Sequence, residues 1–72
     1  MSQREDLEFA ARAWMQMFGA RLPVSEDELN DALFHEASEQ ANVVTLAIRR
    51  DGYGAFRAAL ERVISERRGA TP

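Results

Sequence analysis

The nearest approach to a metal-binding or catalytic motif in this chain is His35-Glu36-Ala37-Ser38-Glu39. A zinc protease helix carries two His four residues apart with a Glu between them, because that spacing sets both imidazoles on one face with a general base beside them. Glu39 stands where the second His is needed, and His35 is the only histidine, so two ligands at most are on offer. Asp31 and His35 read instead as a local helical pair contributing ~0.3 kcal/mol. Nucleophilic chemistry fares no better. Ser2, Ser25, Ser38 and Ser65 have no Gly-rich elbow, and without cysteine there is no thiolate, no disulfide framework and no Cys-based zinc site. Gly52-x-Gly54 has neither the preceding strand nor the Lys of a phosphate-binding loop. A chain of 72 residues also has little room for the pocket of roughly 300 Å³ or more that small-molecule chemistry occupies. The residues therefore imply no catalytic, metal or cofactor site, and no enzyme.

Charge and length narrow the remaining classes. One small domain spanning 1–72 is expected, with frayed ends at about 1–4 and 69–72. No apolar run approaches the roughly 18 residues of a membrane span, and Met1-Ser2-Gln3-Arg4-Glu5-Asp6 lacks the pattern of a signal peptide. A cytoplasmic protein with no membrane partner is expected. The formal charge is -3, divided unevenly: residues 1–36 hold three Arg and eight acids, residues 37–72 six Arg and four acids. That balance disfavours a phosphate backbone as partner. Within the basic half, Arg49-Arg50 and Arg67-Arg68 suit the negative ends of helix dipoles, while Arg57 and Arg62 each have a Glu four residues on, Glu61 and Glu66. Direct nucleic-acid binding is disfavoured accordingly.

The elements that must position any site are helical. Leu7, Ala11, Trp14 and Phe18, with Ala10 alongside, recur at helical spacing and predict a helix from about Glu5 to Phe18, stopped by Gly19. Ser25-x-x-Glu28 is a capping box, with Val24 and Leu29 placed for a hydrophobic staple, so a second helix should begin at Glu26. Its stripe runs through Leu29, Leu33, Ala37, Ala41, Val44 and Ile48 to Arg49-Arg50. Ser38, Asn42 and the trio Val43-Val44-Thr45 lower helix propensity in its middle and predict a kink or break near 38–43. Asp51-Gly52-Tyr53-Gly54 reads as a turn in which Asp51 or Gly54 opens the last helix, whose stripe is Phe56, Ala59, Leu60, Val63 and Ile64. The fold class is all-α: a compact bundle of three helices, or four if the second divides. Trp14, Leu33, Phe56, Leu60 and Val63 should lie at its centre.

Apolar residues left off these stripes are the most informative feature. Phe9 projects about 160° from the Leu7/Trp14/Phe18 face, with Met17 between the two faces. Val43 and Leu46 fall opposite the Leu33/Val44/Ile48 stripe. Either a break near residue 40 turns these side chains into the core, or Phe9, Met17, Val43 and Leu46 form a partner-binding surface or a homodimer seam. The acidic run Glu26, Asp27, Glu28, Asp31, Glu36 and Glu39 contains no basic residue, and is either a solvated face or a complement to a basic protein surface.

The helix ending in Trp14-Met15-Gln16-Met17-Phe18-Gly19, the capped second helix, and Asp51-Gly52-Tyr53-Gly54-Ala55-Phe56 before an Arg-rich end resemble the small helical antiactivator proteins of proteobacterial mobile elements. The resemblance covers the layout of the whole chain and assigns no site residue. It implies a regulatory protein that binds and blocks a transcriptional activator, of the quorum-sensing kind or one controlling element excision. The rival expectations are a helix-turn-helix DNA-binding regulator and a phage-type inhibitor of a host enzyme.

Overall fold

The computed structural model describes residues 3–69, and within them the chain forms four helices: α1 (Gln3–Phe18), α2 (Glu26–Glu36), α3 (Glu39–Asp51) and α4 (Tyr53–Gly69). The second stretch thus divides. Residues 1–2 and 70–72 of the expected frayed ends lie outside the described residues, while Gln3, Arg4 and Gly69 are helical. No helix among the described residues is long and apolar enough to cross a membrane.

α1 is the central element. It packs along both α3 and α4, while α2 rests on α3 and α3 also touches α4. Two-sided packing explains why Ala10, Ala11, Ala13, Trp14 and Met15 are all buried on one helix, more than a single stripe would cover. Trp14, Phe56, Leu29, Leu60 and Val44 are the largest fully enclosed side chains, with Pro23, and Leu33 and Val63 are also buried. The radius of gyration, 11.5 Å, is close to the ~11 Å of a compact chain this long.

The loop from α1 to α2 is held by aromatic and guanidinium contacts. Gly19, at φ +81°, ends α1 with its N–H donating to Met15 O at 2.8 Å. The Trp14 indole Nε1 donates to Arg21 O at 2.8 Å, and the Arg21 guanidinium lies over the Trp14 and Phe18 rings at 5.6 and 5.7 Å. From α4, Arg57 donates to Pro23 O at 2.6 Å and forms an ion pair with Glu61 at 3.3 Å. Trp14 also meets Phe18 and Phe56 at ring-centroid distances of 4.4 and 6.2 Å. Loop, α1 and α4 are thereby fastened at one point.

Several local expectations change in detail. Ser25 does cap α2, accepting from Glu28 N–H at 3.2 Å, but the Glu28 carboxylate reaches past Ser25 to Val24 N–H at 2.8 Å and to Arg21 at 2.9 Å. The Val24 side chain is 86% exposed, so there is no staple to the buried Leu29. The break falls at Ala37-Ser38, at the edge of the expected interval. Ala37 adopts the left-handed conformation (φ 48°, ψ 43°) as the C-cap of α2, and Ser38 caps α3 by accepting from Ala41 N–H at 3.2 Å. Ala37 is therefore exposed and not part of a continuous stripe. The β-branched trio lies inside α3. Neither Asp51 nor Gly54 opens the last helix: α3 runs through Asp51, and Gly52 alone, at φ 93° and ψ 155°, joins it to α4 at Tyr53. Arg62 forms no pair with Glu66, and its buried Nε has no hydrogen-bond partner.

Candidate protein-binding surface

Helices α1 and α3 run antiparallel. Arg50, near the end of α3, pairs with Asp6 near the start of α1 at 3.3 Å, and Ser38, the α3 cap, donates to Met17 Sδ at 3.5 Å near the end of α1. Between these ties, a stripe of α1 (Asp6, Phe9, Ala13, Gln16) runs beside a stripe of α3 (Glu39, Val43, Leu46, Arg50), each spaced three or four residues apart. Phe9 is therefore level with Leu46 across the seam.

Ala13 fills the space between the helices and is buried, but the outer edge of the seam is not closed. Phe9 is 62% exposed and Leu46 64% exposed. Phe9 and Val43 share a cleft of about 280 Å³ with Arg12, Ala13, Gln16, Glu39 and Gln40. Val43 is half-buried against the core and lines the cleft beside Phe9. The result is an apolar centre with a polar rim of Arg12, Gln16, Glu39 and Gln40, the arrangement usual in protein interfaces. At one end the Arg50 guanidinium is clamped by Asp51 at 2.8 Å and by Asp6, and its pKa is raised, mainly by the hydrogen bond to Asp51.

Of the four residues expected to form this surface, the structure brings Phe9 and Val43 together in one cleft and leaves Leu46 exposed on α3, outside the lining of that cleft. The break at residues 37–38 turns Val43 partly into the core and leaves Leu46 outside it. Met17 lies elsewhere, half-buried against the core at the junction of α2 and α3, accepting the Ser38 hydroxyl. Sequence reasoning passed over one large apolar side chain: Phe34, next to Leu33 on α2, is 82% exposed. Its signal was its position about 120° from the Leu29/Leu33 stripe, the same kind of offset that singled out Phe9.

The sites considered for chemistry are simply placed. His35 Nδ1 lies 2.8 Å from Asp31 O and 3.6 Å from Asp31 Oδ1 on the exposed face of α2. Among the described residues, no three His, Asp or Glu side chains come together in a way that could hold a metal ion. Room is less scarce than the chain length suggests, since an open groove of about 500 Å³ runs between α1 and α4, lined by Arg12, Met15, Gln16, Val63, Glu66 and Arg67. That lining has one carboxylate and no nucleophile, so it does not pair a general acid with a general base. Compared with protein-family models, curated proteins and solved structures, the chain matches none.

Proposed function

We propose that this chain is a small non-catalytic regulatory protein that binds and inhibits a protein partner, the partner being a transcriptional activator as the resemblance to mobile-element antiactivators implies. The observation that carries the reading is that Phe9 on α1 and Leu46 on α3, the two helices of the seam, are both held in solvent. The core is already complete without them: Trp14, Phe56, Leu29, Leu60 and Val44 are fully enclosed. An apolar patch of this kind favours burial against another surface. Charge supports a protein over a nucleic acid, because Glu26, Asp27, Asp31, Glu36 and Glu39 are all exposed on α2 and the start of α3, where a phosphate backbone would be repelled. A transcriptional partner places the action in the cytoplasm.

The test is capture from an extract of the source cell with the whole chain as bait, beside a Phe9→Ala/Leu46→Ala double variant. The expected result is one stoichiometric partner retained by the wild type and lost by the variant, and repression of a reporter driven by that partner when the wild type is co-expressed. A partner retained equally by both baits, or retardation of duplex DNA by the wild type, overturns the reading. Concentration-dependent self-association abolished by the double variant would assign the patch to a homodimer.

A further inference from the structure

We infer that Ala37-Ser38 is a hinge through which two copies of this chain exchange halves, with α2 and α3 straightening into one continuous helix in each copy. The exchange does not depend on the Phe9/Leu46 patch or on what that patch binds. Positive φ occurs at three places among the described residues, and two of them, Gly19 and Gly52, carry glycine. The third is Ala37, at φ 48° and ψ 43°. Alanine is disfavoured in the left-handed region and is the strongest helix former, so the residue at the break favours the unbroken form. The apolar spacing is also that of a single helix: Leu29, Leu33, Ala37 and Ala41 follow at intervals of four, and Val44 and Ile48 continue the stripe. The break leaves Ala37 exposed in the middle of it. Straightening needs only Ala37 and Ser38, now extended at φ -115° and ψ 172°, to take helical dihedrals. On either side the bonds of a continuous helix are already made, Ala37 N–H donating to Leu33 O at 3.3 Å and Asn42 N–H to Ser38 O at 3.1 Å. The N–H groups of residues 38–41 then gain the carbonyls of residues 34–37, and the contacts of the Ser38 hydroxyl with Ala41 N–H and Met17 Sδ are given up.

The occupant is a second copy because straightening parts the core. The packing of α1 on α3, of α1 on α4 and of α2 on α3 all joins one side of the hinge to the other, and only α3 with α4 packs within a half. The ion pair of Arg50 with Asp6, the bond from Arg57 to Pro23 O and the meeting of Trp14 with Phe56 cross the hinge as well. A straightened single chain therefore exposes Trp14, Leu29, Phe56 and Leu60, all fully enclosed in the closed form. A second straightened chain presents the same surfaces in return. The contacts are remade between copies, and the balance between the two forms is left to the hinge and to protein concentration. In that dimer Phe9 of one copy shares its cleft with Val43 of the other.

The test is to unfold the whole chain, refold it at millimolar and at micromolar concentration, and measure its mass in solution by sedimentation. A dimer is expected in the concentrated sample and a monomer in the dilute one. Ala37→Gly should weaken dimerisation about ten-fold or more, because each dimer holds two hinges and glycine favours the break while disfavouring the helix. Ala58→Gly, at an exposed alanine inside α4, should dimerise as the wild type does. So should the Phe9→Ala/Leu46→Ala double variant, which keeps this dimer distinct from one formed through the patch. Refolding a mixture of isotope-labelled and unlabelled chain separates exchange from simple pairing: NOEs between the Trp14 and Phe56 rings are expected between chains in the dimer. The inference is overturned if no dimer forms at millimolar concentration, if Ala37→Gly dimerises as tightly as the wild type, if the double variant loses the dimer, or if the Trp14 and Phe56 NOEs stay within single chains.

Discussion

Trp14 and Phe9 are aromatic side chains on the same helix, five residues apart, and they meet opposite fates. Trp14 is fully enclosed, its indole N–H is satisfied by Arg21 O, its ring is flanked by Phe18 and Phe56, and a guanidinium covers one face. Phe9 has a shallow cleft and water. The contrast shows where this small protein needs its apolar area and where it has area to offer. Around Trp14, α1, the loop that follows it and the distant α4 are fastened together, so removal of one group leaves several without partners. Around Phe9, only the two helices of the seam meet, and Ala10 and Ala13 of α1 and Val44 and Ala47 of α3 are buried without it.

The largest effect should come from the enclosed ring. Trp14→Ala is expected to cost ~3 to 5 kcal/mol, enough to unfold much of a domain this size. Chemical denaturation would show it, and a loss below about 1 kcal/mol would mean that the two aromatic residues differ less than their surroundings suggest. Next is the hinge between α3 and α4. Gly52→Ala forces a side chain into φ 93° and ψ 155°, and should destabilise the fold by ~1 to 3 kcal/mol. Gly54, inside α4 with no positive φ, should tolerate the same change far better.

Smaller effects are expected at the ends of α2, with opposite signs. Ser25→Ala removes the N-cap and should cost ~1 kcal/mol in thermal unfolding, whereas Ala37→Gly relieves the left-handed C-cap and should add roughly 1 kcal/mol. If both changes destabilise the protein, the Ala37 conformation is not the one described.

These two caps also mark how far the sequence could be read. Capping at Ser25 was legible because it is local: a hydroxyl, an amide three residues on, and a carboxylate to follow. The staple was not, because Arg21 and Val24 N–H each take one oxygen of the Glu28 carboxylate, an arrangement that exists only once the loop is folded. Low propensity near residue 40 was legible as a weakness, but its position was not, since no pattern marks an alanine for the left-handed region. Core residues such as Leu60 and Phe56 followed from their stripe. Ala13 did not, because its burial depends on α1 being covered by α3 and α4 together. Of the α1/α3 surface, the Phe9 offset was visible in the first helix alone. The union of Phe9 with Val43 required the antiparallel register marked by Asp6 and Arg50.

The fastened loop carries a further, pH-dependent signature. Glu28 is held below its ordinary pKa, first by the hydrogen bond from Arg21 and then by that from Val24 N–H. Its contribution is therefore fully present above the ordinary carboxylate range and is lost as pH falls through the depressed folded value. Glu28→Gln should flatten that part of the acid limb in melting temperature against pH. An identical acid limb in both proteins would remove Glu28 from the loop's stabilising contacts.

The smallest folding effect is expected at Phe9, and it tests the central claim most directly. Thermal unfolding of Phe9→Ala beside Leu60→Ala compares a side chain held in solvent with one held in the core. Leu60→Ala should lose ~2 to 5 kcal/mol, and Phe9→Ala should stay within about 0.5 kcal/mol of the wild type. Equal losses in the two variants would place Phe9 in the core and leave the α1/α3 seam with no aromatic group to offer a partner.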